Sequence, residues 1–264
     1  GRPFFLNLAH WAVHTPLQAT QADYEAVGDI TPHRLRVYAA MVRALDRSVG
    51  RILAALEAEG LMDNTLIVFS SDNGGAGYIG LDQINAPYRG WKLTFYEGGI
   101  RVPLLLHWPA RLPAGRQVPG PAAHIDLMPT LAAAAGRPLG PTPVIDGVNL
   151  LPAAAGTGPL ARPGEVLFWQ SGGYRAVRQG DWKLHLLTRP EGVRLYNLAT
   201  DPTERTDLAA AEPARVQALT ALITAHQANG RPPLYPHRLV APGALDPTLA
   251  DRVGPEDAVI YWPN

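Results

Sequence analysis

The chain has 264 residues, 47% of them hydrophobic and 17% charged, enough to bury a sizeable core as one large domain or two small ones. Its 23 Lys and Arg balance 23 Asp and Glu, so no global field draws it to nucleic acid or to an anionic membrane, and recognition of an anion must be local. Cysteine is absent, which excludes disulfides, thiolate metal sites and a Cys nucleophile within these residues.

The opening residues, GRPFFLNLAHWAV, lack the long apolar run of a signal peptide or membrane helix. The run FFLNLA (residues 4–9) is expected to be a core strand, which implies a chain that continues upstream. HWAVHTP follows, where Pro16 biases Thr15 away from helix and leaves His14 just beyond the strand end. Residues 31–60 read as one long amphipathic helix, with Thr31 as N-cap, Pro32 at the first helical position and Gly60 as the stop. Its expected apolar stripe is Leu35, Tyr38, Val42, Leu45, Val49, Ile52, Leu53 and Leu56.

TLIVFSS (residues 65–71) is apolar and β-branched without strict alternation, the pattern of a strand covered on both faces in a helix-flanked sheet. IRVPLLLHW (residues 100–108) predicts another buried strand and DLMPTLAAAA (residues 126–135) a short helix. Residues 136–164, rich in Pro, Gly and Ala, are expected to run over the surface. Shorter strands follow at VLFW, YRAVRQ, WKLHLL and VRLYNL, with a hairpin turn at Gly180-Asp181, then a helix over residues 213–227. The proline-containing tail, residues 231–264, is expected to be extended and irregular. The expected architecture is α/β: a sheet flanked by helices over residues 1–160, then a small α+β subdomain over residues 161–264 with a short antiparallel sheet and one helix.

In an open α/β sheet ligands gather beyond the carboxyl ends of the strands, and Asp72-Asn73 lies there, after TLIVFSS. A carboxylate with an amide carbonyl is an all-oxygen pair suited to Ca²⁺ or Mg²⁺. Asn-Gly is equally a preferred turn, so the residues alone leave a turn and a metal site both open. By themselves His14 and Lys92 fit a structural histidine and a solvated lysine better than they fit catalysts.

The ordered blocks AVHTPLQA, YAAMVRALDRSVGRIL, NTLIVFSSDNGG, NAPYRGWKLTFYEGGIRVPLLLHWP, IDLMPTL, DGVNLLP, AVRQGDWKL and LYNLATDPTERTDLA resemble the type I, formylglycine-dependent sulfatases of the alkaline phosphatase superfamily. The resemblance runs from residue 4 to about residue 229 and implies the C-terminal part of an alkaline-phosphatase-like sheet. It implies that Asp72 and Asn73 coordinate the cation that binds the sulfate oxygens, Ca²⁺ by family habit with Mg²⁺ as the alternative. By the same resemblance Lys92 touches the sulfate near the leaving oxygen, and His14 hydrogen-bonds that oxygen and protonates the departing alcohol. Fixed cations and a proton donor are what a transition state that loads charge onto the leaving oxygen requires. The substrate class implied is a sulfate ester, of a sulfated sugar or an aryl alcohol, and bacterial relatives are often exported to the periplasm or outside.

Two departures stand beside Lys92: Trp91 and Leu93 occupy positions where the family commonly has glycine. A larger one is that neither C-x-P-x-R nor S-x-P-x-R, the source of the formylglycine nucleophile, occurs in the chain. Ca²⁺ takes about six to eight oxygens, so Asp72 and Asn73 supply only part of a shell. The expectation is half a site, completed by a missing N-terminal half of the catalytic domain. A phosphonate or phosphodiester hydrolase of the same superfamily, and an inactive fragment serving as a structural or binding module, are the alternatives.

Overall fold

The computed structural model describes residues 2–81, 83–140, 145–188, 191–231, 234–235 and 259–262. The chain forms two compact units: residues 1–62, 77–82 and 247–264 make the first, and residues 63–76 and 83–246 the second.

In the first unit, strand β1 (Leu17–Thr20) leads directly into helix α1 (Gln21–Ala26) and then the long helix α2 (His33–Ala58). Thr20 caps α1 by accepting from the Asp23 amide. Buried Asp23 is gripped by Arg43 and Arg47 of α2, and the Arg47 hydrogen bond holds its carboxyl well below the usual range despite burial. Leu17 and Ala19 of β1 pack on Val37, Ala40 and Met41 of α2. That buried stripe differs from the expected one, and Val42 is exposed. Alternating burial in β1 selects the i, i+3, i+4 face that meets it. Thr31 is not the cap either: Pro32 takes that place with no side-chain hydrogen bond, and Gly60, at φ 66°, lies past the end as a C-terminal glycine does.

Two further expectations for this unit are corrected. Residues 4–9 form no strand, and Phe4, Phe5, Leu6 and Leu8 are exposed, because no described strand offers them a hydrogen-bonding ladder. The tail is not wholly irregular: β8 (Val259–Trp262) pairs in parallel with β1, while residues 236–258 and 263–264 lie outside the described residues.

In the second unit, β2 (Ile67–Ser70) pairs antiparallel with β3 (Leu104–His107), separated in sequence by the short helix α3 (Glu97–Ile100). The expectation of cover on both faces does not hold in this chain, since Phe69 and its register partner Leu105 are both exposed. Helix α4 (Leu127–Ala134) follows a short 3-10 turn, and α5 (Leu151–Ala155) lies inside the stretch expected to be loop. Buried Asp126 organises this region by accepting from the Ala123 and Val148 amides and pairing with Arg162. Strands β4 (Val166–Ser171), β5 (Tyr174–Gln179), β6 (Trp182–Thr188) and β7 (Glu191–Asn197) form an antiparallel meander, with Gly180 at φ 55° in the expected hairpin. Helix α6 (Pro213–Asn229) covers one face, packing Leu219 and Ile223 on Val177, Leu184 and Leu195. None of the described helices is long and apolar enough to cross a membrane.

Candidate metal and sulfate site

Strand β2 ends at Ser70, and the next residues turn outward with Asp72 exposed at the tip. Ser71 Oγ donates to the Asn73 carbonyl at 3.0 Å, and His124 Nε2 donates to the Ser71 carbonyl at 2.9 Å. Asn73 spends its amide nitrogen on the Gly74 carbonyl at 2.8 Å, and Oδ1 is its acceptor atom. Among the described residues no hydrogen bond or ion pair reaches the Asp72 carboxylate.

The two glycines after Asn73 do not act as a tight turn. Neither has positive φ, and a Cβ on Gly74 would stand 1.8 Å from the Gly98 carbonyl oxygen. Glycine is therefore required by close backbone approach: the Gly74 amide donates to the Gly99 carbonyl at 2.9 Å, and the Lys92 amide donates to the Gly75 carbonyl at 3.1 Å. The DNGG and YEGG blocks thus touch backbone to backbone. Asn85 locks the junction, its Oδ1 accepting from the Gly75 amide and its Nδ2 donating to the carbonyls of Gly75 and Gly90. Asn85 and His124 carried no role in the sequence reading, because nothing in their local pattern separates a loop amide or imidazole that bridges two segments from one in solvent.

The departures beside Lys92 have distinct outcomes. Trp91 is buried and exchanges hydrogen bonds with Thr94. Leu93 sits at φ 82°, in the left-handed region that favours glycine, and is 70% exposed. The loop therefore keeps a glycine-type path, with a strained leucine on it.

A cleft of about 910 Å³ is lined by Asp72, Asn73, Leu93, Arg101, His124 and Arg178 among others; Lys92, half-buried, is not part of its wall. His14, exposed in the first unit, donates from Nδ1 to the Thr15 carbonyl at 2.7 Å and packs edge-on against Trp11. The structure thus brings Asp72, Asn73 and the Lys92 backbone into one loop cluster, with His14 in a separate unit. A carboxylate and a carbonyl oxygen side by side suit a hard divalent cation, yet among the described residues no three His, Asp or Glu group to hold a metal.

The sulfatase family model matches residues 1–137, slightly more than half of the chain. The chain belongs to the sulfatase family. A sulfatase of Formosa agariphila is 35% identical over 242 residues, covering 81% of this chain and 43% of that protein. Among solved structures, Ps i-CgsB superposes with TM-score 0.80 at 35% identity, covering 89% of this chain and 52% of that one, and it has also been solved in complex with k-i-k-neocarrahexaose. The phosphonate monoester hydrolase of Agrobacterium radiobacter superposes with TM-score 0.59 at 26% identity over 73% of this chain and 41% of its own. These structures carry the alkaline-phosphatase-like α/β fold. This sulfatase chain spans about half the length, or less, of the curated relatives it matches.

Proposed function

We propose that these residues are the C-terminal part of a sulfatase that hydrolyses sulfate esters, with a sulfated carbohydrate as the substrate class. The observation that carries this reading is the stitched loop cluster, in which backbone bonds hold the Lys92 segment against the Asp72-Asn73 turn. Asp72 and Asn73 Oδ1 would hold a divalent cation, which when bound neutralises charge on the sulfate oxygens. Lys92 would stabilise charge on the bridging oxygen, and His14 would protonate the departing alcohol. The nucleophile and the remaining cation ligands are assigned to chain outside these residues, and the paired, exposed Phe69 and Leu105 fit an apolar face that such chain would cover. The domain boundary near residue 160 belongs to the same proposal, with the meander and α6 as the smaller subdomain.

The test is catalysis by the protein expressed from its whole reading frame. Asp72→Ala is expected to lower kcat on an aryl sulfate by roughly 10³-fold while leaving stability within about 0.5 kcal/mol. Asp181→Ala, in the β5–β6 hairpin, is expected to cost stability and spare kcat; equal losses of kcat at equal stability in both variants would refute the assignment. The 264-residue chain by itself is expected to turn over no aryl sulfate, even with Ca²⁺ added. The likeness to a phosphonate monoester hydrolase supports a second reading, separated from the first by the ratio of kcat/KM for an aryl sulfate and a phenyl phosphonate monoester.

A further inference from the structure

Behind the Lys92 loop lies a buried cluster of charged and aromatic groups to which the proposed chemistry gives no part. Lys183 and His185 of β6 and Glu204 are fully buried, and Glu97, at the start of α3, is 3% exposed. Lys183 Nζ donates to Glu97 Oε1 at 2.9 Å and lies 3.0 Å from Glu204 Oε1. Arg101 approaches the other Glu97 oxygen at 3.6 Å from the rim. His185 Nε2 donates to Glu204 Oε1 at 3.0 Å, and His185 Nδ1 accepts from the Tyr174 hydroxyl at 2.8 Å. That arrangement needs a neutral imidazole, and burial pushes His185 down to about 4.

Glu204 reaches both ends of the loop that carries Lys92. Its carbonyl accepts from Arg89 Nη1 at 3.2 Å, and its Oε2 accepts from the Glu97 amide at 2.6 Å. Between these points the Tyr174 hydroxyl accepts from the Phe95 amide at 3.1 Å, and the Gly98 amide closes the loop base on the Arg89 carbonyl at 2.7 Å. Glu204 itself stands at φ 56°, a backbone region that a glutamate occupies only where its surroundings impose it.

We infer that Glu204, supported by Lys183, His185 and Tyr174, is a positioning residue that clamps the 89–97 loop onto the C-terminal sheet and so sets where Lys92 stands. The inference rests on the reading of Lys92 as the lysine at the leaving oxygen. Each carboxylate in the cluster is matched by a cation, so the clamp is closed and rigid instead of being a second ligand site.

The experiment uses the protein from its whole reading frame, with Glu204→Ala, Lys92→Ala and the double variant measured by kcat, KM and amide hydrogen exchange. Glu204→Ala is expected to lower kcat by at least about tenfold with KM within about twofold. Exchange across residues 89–99 should quicken while that of α6 stays unchanged. Because Glu204 acts through Lys92, the double variant should be no slower than Lys92→Ala. Glu204→Gln keeps one acceptor oxygen for the Glu97 amide but sets its NH2 against the His185 and Lys183 donors, so it should recover only part of the loss. Unaltered exchange in the loop, or losses that multiply in the double variant, would overturn the clamp. A Lys92→Ala variant with full kcat would instead refute the role given to Lys92, while the exchange result still decides whether Glu204 holds the loop. If Glu204→Ala does not fold, Tyr174→Phe removes a single hydroxyl: faster exchange at Phe95 with a several-fold lower kcat supports the clamp, and no change in either overturns it.

Discussion

The Asp72-Asn73 turn and the Lys183–Glu204 cluster belong to the same compact unit and contain the same kinds of group, yet the Asp72 carboxylate is exposed whereas Glu97 and Glu204 are 3% and 0% exposed. In the cluster every carboxylate has cations and N–H donors around it: Glu204 takes Lys183, His185 and the Glu97 amide, and Glu97 takes Lys183 and Arg101. At the turn the neighbouring polar atoms bond to backbone and leave the acid pointing outward. Charge that is closed upon itself holds a loop; charge left without a protein partner can meet an ion. Exposure and pairing, more than residue type, separate the two roles.

The largest way to break this contrast is Lys183→Met, which leaves Glu97 and Glu204 without their shared cation. It is expected to cost about 3–5 kcal/mol in urea unfolding, against a near-neutral effect for Asp72→Ala. A loss below 1 kcal/mol would show the cluster to be far better hydrated than its burial implies.

Acid sharpens the same comparison. His185 in the folded chain takes up its proton near pH 4, against 6.5 when unfolded, so the unfolded chain binds more protons between these values and stability falls as pH drops through that window. The loss should total about 3 kcal/mol by the low end. Glu204 adds to it below pH 4.5: burial alone would raise its carboxyl, but the His185 hydrogen bond and the Lys183 charge outweigh burial and hold it lower. A His185→Gln variant should flatten the slope between pH 6.5 and 4, and an unchanged slope would place the titrating group elsewhere.

The smallest effect concerns the strained leucine. Leu93→Gly should stabilise the chain by up to about 1 kcal/mol, because the left-handed conformation costs a leucine about that much and its exposed side chain contributes little burial. A loss of stability on that change would mean that the side chain packs in solution.

Much of the second unit was legible in advance. The meander strands, the Gly180 hairpin and helix α6 fall close to where period and turn residues put them, since these contacts are local in sequence. The first unit was harder to read. FFLNLA has strand composition but no described partner, and β1 with α1 leaves no mark in the sequence pattern because four strand residues and six helical ones are too short to show a period. The α2 stripe differs from its periodic expectation because the burying face is chosen by β1, not by the helix.

Sequence alone determined the chemistry on offer: the acid-amide pair after a strand, a lysine and a histidine in recognisable order, and the absence of any thiol nucleophile. Only the tertiary structure decided what the glycines are for. DNGG and YEGG are two separate glycine pairs in the sequence, yet Gly74 and Gly98 approach too closely for any side chain, and that approach brings the Lys92 backbone to the Asp72-Asn73 turn. It also decided that Glu204, more than a hundred residues from that turn, bonds both ends of the lysine loop. Such pairings depend on where the β4–β7 sheet places its buried face, and side-chain periodicity carries no record of a partner so distant in the chain.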